Sequence, residues 1–114
     1  MQPSAPFRDR EFNGTTLLEE WAELRSGGET PLSVASAVLG LRQARAASRA
    51  PSLDPKLRWS QWAAGARAGN PALAALVARW IPRVRSEPDT DALLAHLERL
   101  ALVGELLEGR GRRL

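Results

Sequence analysis

Arg42, Arg45 and Arg49 stand three and four residues apart, the spacing that puts side chains on one face of a helix. Lys56 and Arg58 follow shortly after, and Arg79 and Arg83 flank a proline, with Trp59, Trp62 and Trp80 among them. Guanidinium groups pair bidentately with phosphate oxygens, and an exposed indole can stack on a base. A basic surface interleaved with aromatics is the pattern that holds a nucleic-acid backbone by charge without reading its sequence. These seven cations are the candidate site residues.

Charge along the chain explains why this segment stands out. Residues 42–85 carry nine Lys or Arg against one acid, Asp54, for a net of +8. Residues 1–41 carry −3, residues 86–109 carry −5 and the last five residues +3, so the overall +3 hides a strongly basic centre. A competing reading is that the blocks neutralise one another across the fold, the acidic last helix lying beside the basic centre. The three tryptophans then belong to the core, packed on Ala63, Ala64, Ala66, Ala72 and Ala75. Lys56 and Arg58 fit that reading least, because a helix N-terminus disfavours positive charge. Blocks of opposite sign would also let identical subunits stack head to tail into a homo-oligomer.

Other chemistry is thin. His96 is the sole histidine and reads as a surface or boundary residue, since it has no second ligand with which to hold a metal. Asp89 and Asp91 fall at a helix start and read as caps, not magnesium ligands. Glu19, Glu20 and Glu23 share a helix with Arg25 and read as a solvated face. Gly65 and Gly69 form a G-x-x-x-G pattern, which in a soluble helix implies close approach of a neighbour. The absence of Cys removes disulfides, thiolate nucleophiles and thiolate metal sites. No phosphate loop, nucleophile elbow or zinc-protease motif occurs. The expectation is a protein that is not an enzyme and uses neither cofactor nor metal.

The elements that must position these residues are helices. Tyr is absent, no stretch alternates apolar with polar for long, and helix punctuation recurs along the chain. Thr16 and Glu19 have the spacing of a capping box opening the first helix, with Leu17, Leu18, Trp21 and Leu24 as its stripe and Gly27-Gly28 as its end. Thr30-Pro31 opens the second, whose broad apolar set Leu32, Val34, Ala35, Val38, Leu39 and Leu41 predicts burial on more than one side. Asp54-Pro55 and Asn70-Pro71 open the third and fourth, and Pro82 ends or kinks the fourth. Ser86 or Asp89 caps the last, whose Leu93, Leu97, Leu100 and Leu107 form one face before Gly109 ends it.

The predicted architecture is all-α: a compact bundle of about five helices over residues 15–109, with a flexible N-terminal arm (1–14) and a short basic tail (110–114). Phe7 and Phe12, in the arm, are expected to dock on the bundle or on a neighbouring copy. No signal-peptide pattern and no apolar run near the roughly 20 residues of a membrane span occur, which predicts a cytoplasmic protein with no membrane contact. The leading functional expectation is a non-catalytic helical subunit of a larger nucleoprotein assembly, with other protein subunits as neighbours. The alternative is a phage- or complex-associated adaptor, assembly chaperone or self-assembling structural protein that acts through protein contacts only.

Overall fold

The structure, a computed structural model, describes residues 14–47 and 54–109. It is an all-α bundle of five helices, with no strand among the described residues. Helix α1 spans Gly14–Ser26, α2 Pro31–Ala47, α3 Pro55–Ala66, α4 Pro71–Trp80 and α5 Glu87–Gly104. A 3₁₀ turn, Ile81–Arg83, follows α4, and a π-helical turn, Glu105–Gly109, continues α5. The N-terminal arm, Arg49 and the basic tail lie outside the described residues, apart from Gly14, which is already helical.

Local chemistry sets the helix ends. α1 begins two residues earlier than predicted, so Thr16 lies inside the helix and does not cap it. Its C-terminus is a Schellman motif: Glu29 N–H donates to the Leu24 carbonyl, Gly28 N–H to that of Arg25, and Gly28 takes φ 97°. Thr30 and Ser33 then exchange side-chain and backbone bonds at 2.9 and 3.0 Å to open α2. The Asp54 side chain accepts from Lys56 N–H at 2.9 Å at the start of α3. Ser86 is the N-cap of α5, with the Asp89 carboxylate accepting from the Arg85 and Ser86 N–H groups. Pro82 sits in the 3₁₀ turn, where its missing N–H ends α4.

α5 is the central element. It buries Leu93, Leu94, Leu97 and Leu100 against Trp21 and Leu24 of α1, Val34 and Val38 of α2, and Leu73, Leu76 and Val77 of α4. Arg42 pairs with Glu98, while Arg45 meets Asp91 and Glu87, so α2 and α5 run antiparallel. Glu20 meets His96, Trp21 lies on Gly104 and Arg25 meets Glu108, so α1 runs the same way as α5. A Cβ added to Gly104 would lie 2.5 Å from the Trp21 indole, so only glycine admits the ring there.

Two packing expectations are corrected. Gly65 and Gly69 have nothing within 4 Å of a built Cβ; the close approaches occur at Gly27 and Gly104 instead. α2 buries one side only: Val34 and Val38 are buried while Leu32 and Leu39 are exposed, because α2 packs chiefly on α5.

Candidate functional site

Among the described residues, four of the candidate cations, Arg42, Arg45, Arg58 and Arg79, are paired with acids of the same chain. Arg42 Nε donates to Glu98 at 2.6 Å. Arg45 bridges Glu87 at 3.1 Å and Asp91 at 2.5 Å, and Arg58 of α3 joins the same Glu87 carboxylate. Glu87 thus ties α2, α3 and α5 together at the N-terminal end of α5. Arg79, on α4, forks onto Glu23 of α1 with bonds of 2.5 and 2.8 Å. That hydrogen-bonded guanidinium holds the Glu23 carboxyl below its usual range, and Glu23 in turn raises Arg79. Arg83 lies over the Trp80 ring, its Cζ 5.5 Å from the centroid, the geometry of a cation–π contact. Lys56 is exposed in the first turn of α3, with no ion pair among the described residues. Arg67, Arg85 and Arg99 are likewise exposed and form no ion pair among the described residues.

The acids of α5 therefore neutralise much of the basic centre within one chain. Glu87, Asp91 and Glu98 fall at intervals of four and seven along α5, the repeat of one helical face. The tryptophans divide accordingly. Trp59 is buried and its indole N–H donates to Thr90 Oγ1 at 3.3 Å. Trp62 meets it edge-to-face at 6.2 Å, half-buried, and Trp80 is half-buried as well.

His96 and Glu20 are buried, not at the surface as their residue types and spacing predict. His96 is fully buried, its Nε2 2.5 Å from Glu20 Oε1, and Glu20 is itself buried. The second Glu20 oxygen accepts from the Trp80 indole N–H at 3.0 Å, and the Trp80 and His96 rings meet edge-on at 5.7 Å. This contact ties α1, α4 and α5 together. Glu29 is 3 % exposed and accepts from Ser33 Oγ, Asn70 Nδ2 and the Leu73 N–H. Asn70 makes no cap bond of its own, so Glu29, from the preceding turn of a different helix pair, caps α4. Among the described residues no three His, Asp or Glu side chains gather as a metal site.

Two apolar surfaces stand out among the described residues. The first is an open groove of about 370 Å³ walled by Leu41 and Ala44 of α2, Trp59 and Trp62 of α3, and Leu94 of α5. Arg45 and Arg58 border it, and the buried Nε of each lacks a hydrogen-bond partner. The second continues the α2–α5 seam beyond the Arg42–Glu98 pair. Leu39 lies three residues before Arg42 and Leu102 four after Glu98, so the antiparallel helices bring both to the same side, one turn past the pair. Leu32 and Leu106 extend the row, and the four leucines are 51–75 % exposed. Comparison with protein-family models, curated proteins and solved structures finds no match to this chain.

Proposed function

We propose that this chain is a non-catalytic helical subunit that works through protein contacts, with the leucine row of α2 and α5 as its docking face. The observation that supports this reading most is the seam itself. Along one side of α2 and α5, ion pairs occupy one half, and Leu32, Leu39, Leu102 and Leu106 occupy the other without cover. Four half-exposed leucines on adjoining helices make an apolar patch of the few-hundred-Å² class that marks interaction surfaces. The fitting partner is an amphipathic helix, or another subunit presenting one, laid along the groove between α2 and α5. Opposite charge blocks need no neighbouring copy, because Arg42, Arg45, Arg58 and Arg79 meet their acids within the same chain.

A second reading, contact with nucleic-acid backbone, is favoured by Lys56, Arg67, Arg85 and Arg99, which are exposed and form no ion pair among the described residues. One pair of measurements separates the two. Fluorescence polarisation with single- and double-stranded oligonucleotides across a salt series should show no binding tighter than roughly 10⁻⁴ M at physiological salt, the weak end of non-specific association. Light scattering should show association that Leu39→Glu with Leu102→Glu abolishes while far-ultraviolet circular dichroism is unchanged. Tight, salt-dependent oligonucleotide binding, lost when Lys56 and Arg67 become Glu and indifferent to the leucine changes, overturns the protein-contact reading.

A further inference from the structure

We propose that the leucine row of α2 and α5 is covered by a second copy of this chain, related by a two-fold axis that runs along the seam between the two helices. This rests on the reading of that row as the docking face, and it names the occupant and its orientation. The exposed side of each helix carries the spacing of a packed interface. Leu32, Ala35, Leu39 and Arg42 fall at intervals of three and four on α2, and Ala95, Glu98, Leu102 and Leu106 do the same on α5. Such intervals let helices interdigitate within roughly 20° of one another, as in a four-helix bundle. α2 and α5 already lie antiparallel, so a second pair laid on them completes that arrangement.

Charge selects the second copy and its orientation. α2 carries Arg42 and Arg45 and no acid, whereas the α5 residues that pair with them, Glu87, Asp91 and Glu98, are all acidic. An axis along the seam sets the α2 of each copy over the α5 of the other, a cationic helix over an acidic one at both places. An axis across the seam sets α2 on α2 and α5 on α5, like charge over like, the juxtaposition that specific interfaces avoid. The axis along the seam also keeps every residue at its own height. Leu39 and Leu102 both lie one turn past the Arg42–Glu98 pair, so Leu39 faces the partner's Leu102 and Arg42 faces the partner's Glu98.

The Arg42–Glu98 pair has capacity left for that contact. Nε and Nη2 of Arg42 both donate to Glu98 Oε2, and among the described residues neither Arg42 Nη1 nor Glu98 Oε1 has a partner. The two side chains are 59 % and 33 % exposed, so Nη1 of each copy meets Oε1 of the other while the intrachain pair stays in place. The face is also large enough. α2 and α5 have 17 and 18 residues. Side by side, at about 26 Å long and roughly 20 Å wide together, they offer each copy on the order of 500 Å² and bury on the order of 1,000 Å² in the pair, where specific interfaces begin. An interface at that limit fits a dimer that forms at micromolar concentration.

The test uses the full chain, which has no cysteine of its own. Sedimentation equilibrium across the micromolar range should resolve a monomer and a dimer, with no larger species. A Leu39→Cys chain mixed with a Leu102→Cys chain and oxidised should give the mixed disulfide in excess over either like pair. Arg42→Glu and Glu98→Arg should each be monomeric with unchanged circular dichroism. An equimolar mixture of those two should dimerise again, because each acid then meets a base across the two-fold axis. A chain that stays monomeric at every concentration overturns the proposal and leaves the leucine face to a different protein. A dimer that Leu39→Glu with Leu102→Glu abolishes, but that cross-links like with like, overturns the axis along the seam and leaves the docking face standing. A dimer indifferent to those leucine changes overturns both.

Discussion

Replacing Gly104 with alanine adds one methyl group where the structure has no room. The new Cβ would sit 2.5 Å from Cη2 and 2.7 Å from Cζ2 and Cζ3 of Trp21. Carbon atoms prefer separations of about 3.5–4.0 Å, so the indole must retreat by roughly 1 Å. Trp21 is 4 % exposed and anchored by its N–H to Glu108 at 3.1 Å, so the ring cannot swing out without losing burial and that bond. Overpacking of this kind costs about 1–3 kcal/mol, and a weakened hydrogen bond adds about 0.5–1.5. Against this, alanine gains up to about 1 kcal/mol over glycine inside a helix. The net expectation is destabilisation by about 1–3 kcal/mol. For a domain of this size that lowers Tm by roughly 5–15 °C. Gly65→Ala is the matched control: it lies in α3 with nothing within 4 Å of the added carbon, and only the helix-propensity gain remains. Guanidinium unfolding followed by tryptophan emission and by circular dichroism would give both differences. If Gly104→Ala proves as stable as the parent, or shifts in the same direction as Gly65→Ala, the close approach of Trp21 to α5 is wrong.

Three further outcomes follow from the buried and paired carboxylates. Glu29→Ala should cost about 2–4 kcal/mol in urea unfolding, because it strips the α4 cap and leaves the Leu73 N–H and the Asn70 amide without their acceptor; a loss below about 0.5 kcal/mol, typical of an ordinary surface site, would refute the cap. Glu20→Ala should cost about 1–3 kcal/mol and shift tryptophan emission, since Trp80 N–H loses its acceptor beside the fully buried His96; an unchanged melting curve would contradict the buried tie. The Arg79 guanidinium depresses Glu23 in the folded chain, so the stabilisation it confers is present above the usual carboxylate value and disappears as pH falls through the lower folded value. With both side chains about half exposed, that contribution is below about 1 kcal/mol. Glu23→Gln should therefore be slightly less stable than the parent at neutral pH and equal to it in strong acid, and a gap that widens in acid would reverse the sign of the argument.

The helix count and most helix starts were legible because their determinants are short-range. Thr30-Pro31, Asp54-Pro55 and Asn70-Pro71 each mark a first turn through contacts spanning a few residues. The exception at α1 is of the same scale: Gly14 extends the helix by half a turn and Thr16 loses its capping role. The basic centre was legible as composition, and so was the idea that acidic blocks could oppose it. Which acid meets which arginine was not, because Arg42 and Glu98 are 56 residues apart, as are Arg79 and Glu23.

Burial of polar groups was the least legible property. His96 and Glu20 are 76 residues apart, and each by itself has the look of a surface residue; only their meeting beside Trp80 lets both leave water. Glu29 gave one faint sign, an acid immediately before a cap residue, but its role depends on Leu73, 44 residues away.

By itself, then, the order of residues determined the five helices of the described residues, most of their starts, and that the charges come in opposing blocks, since periodicity, caps and prolines act within about one turn. Only the packing of the five helices on one another decided which leucines stay exposed, which carboxylates are buried and which arginines are paired. Those outcomes depend on pairs that chain folding brings together from distant positions, and no local pattern records them.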